Sequence, residues 1–167
     1  MAAGKIAQFV NPLLVIVVIA VVLALYSLMA SILSIKPLYC GFLFSLYWAG
    51  VRHGSLPEFF PACIGAMGGV LLAWALHQWP LMYGTAGLAL ALLILLVAIY
   101  SQIRGFLPQL FNLSYMLFLT VATIPVVSAG GNFPGMIAAI VLAGAMLGGL
   151  FLLGRRFFPQ LTPVAGP

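Results

Sequence analysis

One acidic side chain, Glu58, is all that a chain of 167 residues carries, beside six Lys or Arg. A soluble domain devotes roughly a quarter of its residues to charge; here the share is 4%, and 65% of the chain is hydrophobic. Side chains of this kind cannot cover a folded core with water-compatible groups. Their solvent must be largely lipid, and the expected fold is an all-α, polytopic membrane protein.

A spanning helix needs about 20 mostly apolar residues. Six apolar segments can be marked, at 11–34, 37–51, 58–77, 80–102, 107–128 and 133–155. The breaks between them combine Pro or Gly with polar or charged groups: Lys36-Pro37, Arg52-His53-Gly54-Ser55-Leu56-Pro57-Glu58, His77-Gln78-Trp79-Pro80, Arg104-Gly105, and Ser128 to Asn132. Proline lacks an N–H and fixes φ, so it starts or stops helices. The expectation is one domain of six transmembrane helices over 1–157, followed by a disordered cytoplasmic tail at 158–167. The first run, Pro12 to Ser34, exceeds the 7–15-residue apolar core of a signal peptide and reads as a spanning helix.

Cations sort by loop. Lys5, Arg52, Arg104, Arg155 and Arg156 fall on one side of a six-span chain, and Lys36 alone falls on the other. Basic residues stay cytoplasmic during insertion. The expected location is the inner (plasma) membrane, with both termini in the cytoplasm. Isolated cations at the ends of apolar runs meet lipid headgroups, not nucleic acid.

Helix three holds Gly65 and Gly69, and helix six holds Gly144 and Gly148, each a G-x-x-x-G pair that lets backbones approach closely in lipid. Phe44-Ser45-Leu46-Tyr47 and Phe111-Asn112-Leu113-Ser114-Tyr115 are a second likeness between the halves. Two accounts stand: two inverted three-helix repeats, as in many transporters, or coincidence in a chain rich in Gly and Ala.

No paired carboxylate, H-E-x-x-H, G-x-S-x-G or phosphate loop occurs, and Cys40 and Cys63 have no metal-binding spacing. The chain is therefore not expected to be an enzyme or to hold a metal or cofactor. Polar groups at membrane depth gather in the fifth segment: Gln109, Asn112, Ser114, Tyr115, Thr120 and Thr123, before Pro125. At helical spacing Asn112, Tyr115 and Thr123 share a face. With Ser45 and Tyr47 opposite, that face could line a solute path; alternatively its amides tie helices together. Arg52, His53 and Glu58 form a candidate cytoplasmic gate, or a topology anchor with Glu58 at a helix N-terminus.

The short aromatic segment ending in Tyr47-Trp48, the basic residue after it, the glycine-rich third helix and the basic end of the last helix together resemble a known family. They are similar to the six-helix membrane module of the fusaric-acid-resistance and aromatic-acid exporter superfamily, to small bacterial inner-membrane relatives of unknown function and, more distantly, to plant aluminium-activated malate channels. The likeness covers residues 10–157. It implies export or conduction of organic anions by a dimer. Where the family opens its third helix with Arg-x-x-Gly-Thr, this chain has Pro57-Glu58-Phe59-Phe60-Pro61.

Two functions follow. One is a transporter or channel for a small neutral or anionic organic solute, working as a homo-oligomer, with a dimer favoured. The other is a non-transporting integral membrane subunit or scaffold that packs against a partner membrane protein. Scarce intramembrane carboxylates weigh against a cation pore.

Overall fold

The computed structural model describes residues 12–157, with side-chain surroundings from 16 to 153. Lys5 and the 158–167 tail lie outside the described residues, and Arg155 and Arg156 are described in backbone only. Among the described residues the chain is all helical: α1 (Pro12–Ile32), α2 (Leu38–Leu46), a π-helical turn (Tyr47–Val51), α3 (Phe59–Arg104), α4 (Leu113–Ala122), α5 (Pro125–Ala129) and α6 (Phe133–Phe157).

Two helices, α3 and α6, are long and apolar enough to cross a membrane. Helix α3 is not one rod. At Gly84 the backbone takes φ 59° and ψ −138°, a conformation that suits glycine. Beyond it the chain folds back, so that Gly87 meets the carbonyl of Trp79 on the preceding limb. The limbs, 59–83 and 85–104, are about 37 Å and about 30 Å long at about 1.5 Å per residue.

This corrects the expected break at His77–Pro80. Pro80 lies inside the helix, and the turn comes at the first residue able to take the reversed backbone. Tyr83-Gly84-Thr85 carries no charge and no proline, so polarity does not advertise it.

The fifth segment also differs from expectation. Residues 107–112 are turns, α4 begins at Leu113, and Pro125 opens the separate α5 rather than kinking a continuous helix.

The core lies where the first limb of α3 packs on α4 and α6, with α2 against α6. Its contact surfaces are small: Ala62, Ala66, Ala73, Ala139 and Ala143 are buried, and Phe44, Phe118, Met136 and Ile140 fill the spaces between them. Small residues let helices approach closely where lipid tails provide no drive to hide apolar groups. The outward faces of α1 and of the second α3 limb are apolar and bare: Ile19, Leu28, Leu93, Leu96 and Ile103 are exposed.

Glycines set two kinds of contact. Gly69 faces the main chain of α4, where an added Cβ would meet the carbonyl of Tyr115 and, at 2.8 Å, the amide of Leu119. Gly65 faces the Asn112 side chain in the same seam. Gly144 and Gly148 meet side chains instead: Cys63 Sγ at 3.3 Å and the Phe59 ring at 3.1 Å.

Candidate functional site

Asn112 is not on the face of α4. It precedes the helix as its N-cap, with an extended backbone (φ −128°, ψ 179°), and its Oδ1 accepts from the Tyr115 amide at 3.1 Å. Its Nδ2 donates to the Pro61 carbonyl of α3 at 2.7 Å. Two residues on, Ser114 donates to the Ala62 carbonyl at 2.9 Å and is fully buried. Thus Asn112 and Ser114 clip the start of α4 onto successive carbonyls of α3. Asn112 could reach Pro61 because Gly65 leaves its side chain room.

The residues assigned to a solute path are dispersed. Tyr115 is buried, its ring against Gly68 and 5.2 Å from the ring of Phe111. Thr123 is exposed, its hydroxyl directed to the Leu119 carbonyl at 2.9 Å. Ser45 donates to the Gly41 carbonyl of its own helix at 2.7 Å. Helices α2 and α4 are not principal packing partners, because α4 packs on α3 and α2 on α6. The structure therefore does not bring Ser45 and Tyr47 opposite Asn112, Tyr115 and Thr123.

It does bring Tyr47 to Arg52 and Glu58. The π-helical turn carries one residue more per bonded ring than an α-helix, and such turns recur at functional sites. Here it swings Arg52 back so that its Nε donates to the Tyr47 hydroxyl at 3.0 Å, its guanidinium 5.8 Å from that ring's centre. Glu58 Oε2 lies 3.8 Å from Arg52 Nη1. The Tyr47 hydroxyl, with a smaller contribution from Glu58, holds the Arg52 pKa above its ordinary value against the opposing pull of burial. Glu58 occupies the N-cap position of α3, yet its side chain makes no capping bond.

Behind the cluster stands an aromatic wall. Trp48 donates to the Ser55 carbonyl at 3.0 Å and meets Phe59 and Phe151 edge-on at 5.1 and 5.7 Å. This wall fixes the loop 52–58. His53 (φ 51°) and Gly54 (φ 66°) turn the chain there, and His53 points no bond into the cluster. It is exposed. The π turn and Trp48 were missed as site elements by sequence reasoning; for Trp48 the available signal was its place next to Tyr47.

A half-exposed arginine, a tyrosine hydroxyl and one carboxylate can bind an anion or anchor a loop. No group of three or more metal-ligating side chains occurs among the described residues. No known protein family matches the chain, and neither does any curated protein or solved structure.

Proposed function

We propose that this is an inner-membrane protein of six spanning segments, both termini cytoplasmic, acting as a non-transporting membrane subunit that packs against a partner membrane protein. The observation that carries the subunit reading is the Asn112 and Ser114 clip. Two of the polar groups at that depth, Asn112 and Ser114, are used to fasten α4 to α3, and Ser45 and Thr123 bond within their own helices. Polar groups in hydrocarbon are costly unless paired, and here the pairing is internal.

Six spans are supported by the fold-back at Gly84, which turns one long helix into two limbs of spanning length. The remaining segments are α1, α2 with its π turn, α4 with α5, and α6. The topology is supported by charge: Arg52 precedes the first limb and Arg104 ends the second, so a fold-back at Gly84 returns Arg104 toward the end where Arg52 lies, and Lys36 is separated from Arg52 by the length of α2 and its π turn. An inverted repeat would place the two glycine pairs in like settings. Gly69 meets a backbone and Gly148 a ring, so this reading rests on six spans and not on duplication.

The test is thiol labelling in sealed vesicles, in a background lacking Cys40 and Cys63. Ser114→Cys should stay inert to a water-soluble maleimide, and Thr123→Cys gives the exposed comparison. Labelling of Ser114→Cys from the aqueous side would overturn the subunit reading. Reporter fusions after Pro167 and within 129–132 should report opposite sides.

A second reading is favoured by the Tyr47–Arg52–Glu58 cluster. An arginine held at the end of a π-helical turn could attract a small anionic organic solute for carriage by a homo-oligomer. Loss of anion uptake into vesicles in Arg52→Gln would support it.

A further inference from the structure

We propose that the trough between α1 and α2 is a binding site for an anionic phospholipid, with Lys36 at the phosphate and the interhelical groove around an acyl chain. The proposal rests on the membrane reading above.

Charge is the first argument. The chain's one acidic side chain, Glu58, is paired with Arg52 at the opposite end of the bundle. Lys36 therefore has no carboxylate side chain of its own chain to neutralise it. A second copy, lying parallel in the membrane, would bring Glu58 to the wrong end as well. The anion has to come from elsewhere, and at a membrane surface the abundant source is lipid phosphate.

The surroundings of Lys36 suit that anion. It shares a cavity of about 420 Å³ with the hydroxyls of Ser31 and Ser34, and with Ser27, whose hydrogen is committed to the Leu23 carbonyl at 2.9 Å. Free carbonyls at the end of α1 would repel an anion, but three of those in its last turn are taken. The amides of Leu33, Ser34 and Ile35 donate to the carbonyls of Met29, Ser31 and Ala30. Ser34 adopts φ 56° to allow this. Helix α2 begins two residues after Lys36, and a helix N-terminus favours negative charge.

Shape is the second argument. A groove of about 770 Å³ runs along the same pair of helices, lined by Val18, Val22, Leu23, Phe42 and Leu46 among others. Ser45 lines it too, but its hydrogen is committed to the Gly41 carbonyl. Leu38 lines the polar cavity and its neighbour Tyr39 the apolar one. A charged head region thus adjoins a hydrocarbon body, as in a phospholipid. The seam is open because α1 is pinned mainly by Tyr26, which donates to the Leu38 carbonyl at 3.3 Å, and by buried Ala30.

The test uses the purified full chain in nanodiscs of phosphatidylcholine, with or without phosphatidylglycerol. Phosphatidylglycerol should raise the thermal midpoint, and native mass spectrometry should show a roughly fivefold preference for it over phosphatidylcholine, the size one basic residue confers near an anionic surface. Lys36→Gln should remove the preference and Lys36→Arg restore it. Gly50→Leu, which fills the groove, should reduce retained lipid while leaving Lys36 in place. Inorganic phosphate alone should give no shift; a full shift with phosphate would mean a simple anion site and overturn the lipid assignment. An undiminished preference in Lys36→Gln would overturn it, as would a trough closed by a second copy, seen as cross-linking between Leu46→Cys chains. Recovery of the protein in the soluble fraction would instead defeat the membrane reading itself.

Discussion

The Cα of Gly69 looks directly at the main-chain carbonyl of Tyr115, with no space between α3 and α4 for a side chain. Backbone cannot move aside as a flexible side chain can, so this contact sets how closely the two helices approach.

Gly69→Ala should therefore lower stability in detergent by about 1–3 kcal/mol, the usual cost of overpacking. Gly149 has nothing within 4 Å of an added Cβ. Gly149→Ala should be neutral or gain up to about 1 kcal/mol from the lower entropy of the unfolded chain. Gly148→Ala should fall between them, because the Phe59 ring can yield. Thermal unfolding of the three variants ranks them; equal midpoints would remove the backbone-contact account.

Asn112→Ala should cost about 1–2 kcal/mol, combining a lost N-cap with a lost bond to Pro61. Asn112→Asp keeps the acceptor for the Tyr115 amide and loses the donor. Its midpoint should lie between those of wild type and the alanine variant if both bonds contribute. An aspartate variant as stable as wild type would mean that the bond to Pro61 adds nothing.

Gly84→Ala forces an alanine into φ 59°, ψ −138°, at a cost of about 1–3 kcal/mol. Pro80→Ala should be tolerated, since it restores an amide to a helix that already accommodates the proline. Should Pro80→Ala prove the more damaging of the two, the fold-back depends on the proline after all.

Tyr47→Phe removes the acceptor of Arg52 Nε. The cluster is partly exposed, so global stability should change by less than about 1 kcal/mol. Loop 52–58 should become more accessible, read as faster proteolysis near His53. Unchanged cleavage would show that Trp48 and its aromatic neighbours hold the loop alone.

Much of this arrangement could be read from residue types. Apolar runs and their punctuation marked the all-helical character and the ends of α1, α2 and α6, because Pro, Gly and polar residues end apolar helices. Glycine spacing marked Gly65 and Gly69 as contact positions. The sequence misled where the deciding quantity was not polarity. His77 to Pro80 has every sign of a loop, yet the chain waits for Gly84, where only backbone freedom matters. Asn112 was placed on a helix face by counting, although Asn before Leu-Ser-Tyr is also an N-cap pattern. Its partner Pro61 lies 51 residues away, beyond the reach of local pattern. The π turn at Tyr47 has no residue signature; its bonding to Arg52 emerges only in three dimensions.

Between Phe59 and Ile103 the folded-back helix carries no Lys, Arg, Asp or Glu. In the six-span topology proposed above, its two limbs can leave the insertion machinery as a pair, with the stretch from His77 to Gly84 at the leading tip. That tip carries no Lys, Arg, Asp or Glu to translocate, whereas each elementary charge would couple to the membrane potential by about 2.3 kcal/mol per 100 mV. On that topology the reversal at Gly84 leaves orientation to be decided by the cations flanking the hairpin, Arg52 and Arg104, on the side where synthesis began.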